Sequence, residues 1–313
     1  MSRKLLLLTA TLLLCAAPSP GQIAFFNQTS NAQLLFNPGF AGSLDQFRIG
    51  SVYRADWTNL PGAPRKIYLA GDWMSHRLRG GIGFEALRIS TGEGNYSQDG
   101  LAAMYSGKIN LGPRWMLSLA LKAGFTASND IRSLTFPGRP ALTDTREQLI
   151  HLTPGFLLNS GRFYVGISMP HALRFNLREV PIAETSRLLP VRRLNIQAGY
   201  QYEPYPDALW SLSVSGILSG AMYQSFGQLQ MTYHRRWFLL GAGIYTFNET
   251  ANELFGSFGV QRPRFRASFL YSRTLTNSTI NFATSSVEAA LLFYLPRKAN
   301  HRPSSPEPSS SIY

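Results

Sequence analysis

The chain has 313 residues, 44% of them hydrophobic and 12% aromatic, with a formal net charge of +13. That length allows one large or two ordinary domains. Past residue 21 no uncharged apolar run approaches the roughly 18 residues of a membrane helix, so any membrane span must be made of strands. The basic balance invites a nucleic-acid reading, but the arginines are scattered singly and no helix-turn-helix, zinc-finger or RNA-binding motif is present, so nucleic acid is not an expected partner.

The first element is a short basic start, Arg3-Lys4, followed by an apolar run from Leu5 to Leu14. This fits a secretory signal peptide over 1–21, cut after Gly21. Cys15 is the only cysteine; Leu14 before it disfavours lipid attachment, and the mature chain then has neither a disulfide nor thiol chemistry. Residues 22–44 mix apolar and polar positions too irregularly for a strand. Phe25, Phe26, Phe36 and Phe40 would be costly exposed, so this periplasmic segment is expected to pack into the periplasmic mouth and partly plug it.

From residue 45 the dominant signal is alternation with period two. In 117–126, Leu117, Leu119, Leu121, Ala123 and Phe125 take one face and Ser118, Ala120, Lys122, Gly124 and Thr126 the other. In 193–202, Leu194, Ile196, Ala198, Tyr200 and Tyr202 oppose Arg193, Asn195, Gln197, Gly199 and Gln201. The predicted strands are 46–57, 65–75, 79–90, 97–110, 114–126, 150–159, 162–169, 191–203, 209–219, 222–234, 236–247, 252–261, 264–275 and 284–295. Their length of about ten residues, and aromatics near segment ends, favour a membrane barrel over a soluble sandwich. The aromatics in question are Tyr53, Trp57, Tyr68, Trp73, Tyr105, Trp115, Trp210, Tyr233, Trp237, Tyr271 and Tyr294. The expected fold is therefore all-β: a transmembrane antiparallel barrel of about 14 strands over 45–295, with both ends in the periplasm. Two longer connections, 127–149 and 170–190, fall outside if strands five and seven run outward, and have room for short helices. The Pro- and Ser-rich tail 296–313 cannot build a core and is expected to be disordered.

No catalytic, cofactor-binding or metal-binding set is expected. The histidines, His76, His151, His171, His234 and His301, lack metal-ligand spacing. Ser75 and His76 are strand neighbours and point to opposite faces. Ser168 and His171 can be combined only on paper. Arg48, Arg54 and Asp56 share one parity on the first strand and, with Asp45 and Asp72 nearby, are candidate lumen charges forming an ion-pair network.

Several stretches together resemble one family. Leu35-Phe36-Asn37-Pro38-Gly39-Phe40-Ala41-Gly42-Ser43, then Tyr53-Arg54-Ala55-Asp56-Trp57, then Pro61-Gly62-Ala63-Pro64 look like the PorP/SprF family of the Bacteroidota type IX secretion and gliding motility machinery. Members share an N-P-x-[YF]-A-G-S stretch, a Y-R-x-Q-W strand end and a G-x-P turn. The likeness extends through 163–170 and the strand from Arg193 to Tyr202. Asp56 stands where members usually carry glutamine, and Gly39 where alanine is common. The resemblance implies Asn37, Pro38, Ala41, Gly42, Ser43, Tyr53, Arg54, Trp57 and Pro64 as family-motif positions. It implies a non-enzymatic barrel in the cell outer membrane that supports secretion or surface anchoring of cargo. Its partners would be outer-membrane lipid, periplasmic secretion components and a secreted adhesin or other cargo. The competing expectation is a diffusion channel for small or apolar solutes.

Overall fold

The computed structural model describes residues 26–136, 139–178, 193–204, 209–221, 224–247, 251–276 and 284–296. The expected signal peptide, residues 22–25 and the tail past Pro296 lie outside the described residues. Fifteen strands are described: β1 (Gln46–Ala55), β2 (Arg65–Ser75), β3 (Gly80–Thr91), β4 (Tyr96–Asn110), β5 (Met116–Phe136), β6 (Arg139–Asn159), β7 (Phe163–Ser168), β8 (Leu173–Arg178), β9 (Leu194–Tyr202), β10 (Trp210–Ala221), β11 (Gln224–Arg235), β12 (Phe238–Phe247), β13 (Ala251–Arg262), β14 (Phe265–Thr276) and β15 (Ser285–Pro296). Each pairs antiparallel with its chain neighbours, except that β7 and β9 pair with each other and β8 pairs with β6. β1 pairs with β15, and β5 with β6, so fourteen strands close into a ring and β8 is extra. Closure pairs each of the fourteen ring strands on both sides, as a wall in lipid requires, while β8 is paired along β6 alone among the described residues.

Gln46 and Pro296 are register partners at one rim, here the near end; Ala55 and Val287 mark the far end. Side-chain parity decides what faces where. Leu119, Leu121, Leu218, Leu229 and Phe258 are exposed, Leu218 to 63%. Positions on the other face of the wall strands are buried and polar: Lys122, Gln197, Gln228, Gln230 and Glu288, the last fully. A soluble sandwich would bury the greasy face. Greasy outside and polar inside is the arrangement of a barrel in lipid.

The aromatic expectation needs correction at two positions. Tyr68 and Tyr294 are buried inside the ring, because they share parity with Lys66 and Leu292. The others form a belt best developed at the near end. There Trp115 meets Phe163 at 6.4 Å, Trp210 lies between Tyr202 and Tyr233 at 6.0 and 6.1 Å, and the Arg262 guanidinium sits 5.1 Å over Trp237. Amphipathic rings at one level of the wall suit a headgroup layer.

The described parts of both long connections differ from expectation; residues 179–190 of the second lie outside the described residues. Residues 127–136 and 139–149 are not helical: they extend β5 and β6 into a hairpin paired in unbroken register from Met116↔Asn159 to Phe136↔Arg139. Its outer part needs no greasy face, because ladder hydrogen bonds alone hold a ribbon outside the apolar layer, so the polar sequence hid it. In 170–190, β8 continues β7 after a break at Pro170 and His171, the latter at φ 57. β6 pairs with both halves, through Gly155–Asn159 and Gln148–Leu152. Pro170 read as a strand end; Leu173, Phe175 and Leu177 nevertheless keep the outward alternation.

Candidate functional site

The candidate site is the lumen, and residues 26–44 run inside it. They form short helical turns at Thr29–Asn31, Gln33–Phe36 and Pro38–Phe40. A segment of this kind leaves many backbone groups without internal partners, and a buried one must find them in the wall. It does so at three levels.

At the far end stands a charge cluster. Arg54 Nε contacts Asp56 at 2.5 Å, its other nitrogens lie 3.2 Å from Glu253 and 3.5 Å from Glu288, and Lys66 Nζ is 2.7 Å from Asp56. Two cations face three carboxylates. The excess negative charge is met by the segment: the Asn27 and Gln28 backbone N–H groups donate to the two oxygens of Glu288 at 2.8 and 2.9 Å. Asn27 Nδ2 donates to Glu253 at 3.2 Å, and Gln228 Nε2 donates to the Asn27 carbonyl at 2.5 Å. Charge-assisted bonds of this type are about twice as strong as neutral ones. Arg54 is the ninth of ten residues in β1, so the segment reaches well beyond the mouth at which it was expected.

At mid-depth, the one-turn helix is held through its carbonyls. Lys122 Nζ donates to Leu34 and Leu35 carbonyls, both at 3.1 Å, and to Glu85 at 2.7 Å. Ser168 Oγ and Asn195 Nδ2 donate to the Phe36 carbonyl at 2.5 and 3.1 Å. Ser168 is thus occupied by Phe36, and the His171 ring lies against His151.

Nearer the near end, Asp72 bridges Arg48 Nε at 2.7 Å and the Gly42 N–H at 2.8 Å, and Arg48 also reaches Gln33. Asp45 lies outside this group and meets His76 at 3.0 Å. Asn37 donates to the Phe156 carbonyl at 3.0 Å and accepts from the Gly39 N–H at 2.8 Å, which fixes the turn through Pro38. Lys108 Nζ and Ser106 Oγ donate to the Gly39 carbonyl. The turn presses on bare wall: a Cβ on Gly81 would stand 1.9 Å from the Ala41 carbonyl oxygen, and one on Gly155 would stand 2.5 Å from Asn37 Oδ1. Gly42 needs its φ of 63 to leave this contact for β1. Phe40 packs edge-on to Tyr164 at 5.2 Å, and Phe26 tilts against Tyr68 at 5.8 Å.

The motif residues therefore divide. Asn37, Pro38, Ala41, Gly42 and Ser43 are buried in the lumen, and Arg54 joins the far cluster. Tyr53 and Trp57 are exposed, Trp57 at φ 47 with its N–H on Ser286 Oγ. The Pro64 carbonyl accepts from the Asp56 N–H and closes the β1–β2 loop. Of the candidate lumen charges, Arg54 and Asp56 meet directly, whereas Arg48 belongs to the Asp72 group. Sequence reasoning missed Lys66, Glu85, Glu253 and Glu288. Their signal was parity: each is a charge at an inward position of its strand.

A closed ring with a lipid-compatible exterior and a polar, filled interior defines an outer-membrane β-barrel. A family model described as the type IX secretion system membrane protein PorP/SprF matches residues 19–293. The chain belongs to the PorP/SprF family. Among solved structures it is similar to the Pseudomonas putida toluene transporter TodX, with a TM-score of 0.52 and 10% identity over 92% of this chain and 97% of that one. It is also similar to the Ralstonia pickettii toluene transporter TbuX, with a TM-score of 0.50 and 11% identity over 88% and 96%. At such identities the likeness is one of fold alone. No curated protein matches the chain.

Proposed function

We propose that the protein is a non-enzymatic scaffold of the type IX secretion apparatus, supporting secretion or surface anchoring of cargo, with its lumen plugged by its own N-terminal segment. One observation carries the plugged reading: residues 26–44 bond to side chains or carbonyls of β1, β2, β4, β5, β6, β7, β9, β11, β13, β14 and β15. A pore for solutes gains nothing from a filling tied to nearly every wall strand, whereas a rigid surface for protein partners does. Family membership supplies the apparatus; the near end faces the periplasm in this reading, and the long β5–β6 hairpin faces outward. Gentle cross-linking in native membranes followed by affinity purification tests it. The expected result is recovery of periplasmic secretion components or a secreted adhesin. Recovery of the barrel alone, under conditions that preserve other membrane complexes, would count against the scaffold.

A further inference from the structure

The outer wall carries a patch of charge that the lumen does not use. At the near end, the β11–β12 and β13–β14 corners hold Arg235, Arg236, Arg262 and Arg264, all exposed. None of the four has an ion pair among the described residues, and residues 235–237 and 262–265 include no carboxylate. The two corners are coupled, because the Gln261 N–H donates to the Trp237 carbonyl at 2.7 Å. By strand parity Arg235 follows Tyr233, and Arg262 follows Val260, on the lipid-facing side. Tryptophans stand among them: Trp210 is the register partner of Arg235, and Arg262 lies 5.1 Å over the Trp237 ring. Tryptophan marks the headgroup level, so these guanidinium groups stand at the depth of lipid phosphates. Like charges gathered there repel one another until an anion joins them.

Directly beneath the patch the wall is hollowed. A groove of about 940 Å³ runs across β12, β13, β14, β15 and β1 on the outside. It begins at Phe238, on which the Trp237 ring stacks at 3.7 Å, and at Val260, two residues from Arg262. Two residues of strand span about 7 Å. Side-chain size makes the hollow. Ala289 lies beside Phe269 and Phe258 in one cross-strand row, and Ala267 lies beside Val260 in the next. A groove with cations at its head and apolar walls below takes a molecule with an anionic head and a long apolar tail. A second copy of the barrel fits less well: side by side in one membrane, its own arginines would meet these at the same level.

We propose that the patch and the groove together bind one anionic phospholipid, its phosphate among Arg235, Arg236, Arg262 and Arg264 and an acyl chain over Ala267 and Ala289. The site rests on the barrel standing in lipid and not on any role in secretion. The test is native mass spectrometry of the full-length barrel, released from non-ionic detergent micelles containing dioleoylphosphatidylglycerol and dioleoylphosphatidylcholine in equal amounts. The anionic lipid should be retained as a single copy, at least about tenfold more strongly than the zwitterionic one. Glycerol 3-phosphate, a head without chains, should not displace it at equal concentration. Changing the four patch arginines together to glutamine should remove the preference. The same change at Arg77, Arg79, Arg114 and Arg162, exposed on other turns of the near end, should keep it. Ala267→Trp, which fills the groove and leaves the arginines intact, should weaken retention at least about fivefold. Equal retention of the two lipids would overturn the proposal, as would displacement by glycerol 3-phosphate. So would an equal effect of the two four-residue variants, unchanged retention in Ala267→Trp, or a lipid-free dimer seated through this face. Because the wild-type protein alone decides between the two lipids and the free phosphate, a variant that fails to fold leaves the answer intact.

Discussion

Asp56 shows how a single side chain couples to its neighbours. It stands where the family usually carries glutamine, and it holds both Arg54 and the buried Lys66. Removing one partner of a buried pair costs about 3–5 kcal/mol, because the other charge is left stranded, whereas removing both is often near neutral. Arg54 keeps Glu253 and Glu288, so the stranded group is Lys66. Asp56→Gln is therefore expected to lower unfolding stability by about 3 kcal/mol, and Asp56→Gln with Lys66→Met to recover most of it. Urea unfolding followed by tryptophan fluorescence measures both. Additive losses in the double variant would show that the two residues act separately. This coupling could not be read from the chain, since Lys66 sits on another strand and only the β1–β2 register, Arg54↔Lys66, brings it to the cluster.

At the scale of elements, the β5–β6 hairpin separates into two parts. Up to Asp130 it is flanked by β4, whose pairing stops at Tyr96↔Asp130. On its other side β8 reaches only to Gln148. Residues 131–136 pair only with 139–144, from Ile131↔Asp144 to Phe136↔Arg139. A two-stranded ribbon contributes little to the stability of the body it leaves. Replacing 131–144 by a short turn is expected to keep the heat-modifiable, folded band on gels and to change unfolding stability by less than about 1 kcal/mol. Loss of the folded band would mean that the hairpin is part of the barrel's own core. The alternating strands were legible because lipid imposes a greasy face; this ribbon was not, because water outside the membrane imposes none. β8 was hidden for another reason: a proline inside one wall strand looks in sequence like its end.

For the whole molecule, the wall and its filling are held by different forces. Strand ladders and the apolar exterior hold the ring, while the segment is held by bonds to charged and neutral polar groups of the wall and by burial of Phe26, Leu34, Phe36 and Phe40. Deleting 26–44 should leave a folded barrel and open it, so that planar bilayers show discrete conductance steps absent from the intact protein. Equal conductance before and after deletion would sink the plug and favour the diffusion channel. The partner experiment reads separately, since a conducting barrel can still carry cargo.

The sequence by itself determined the barrel: alternation over about ten residues, greasy against polar, with no helical span, leaves a closed sheet in lipid as the arrangement that satisfies every backbone group. It also marked Asn37 to Ser43 and Arg54 as special through the family motif. Only the tertiary structure decided what those residues touch. Glu253 and Glu288 lie some two hundred residues from Arg54, Gly81 and Gly155 lie on different strands from the turn they accommodate, and His151 meets His171 through a strand break. Parity says which side of the wall a residue faces. It does not say which inward residues stand opposite one another across the lumen, because that depends on ring closure and on the path of the segment inside.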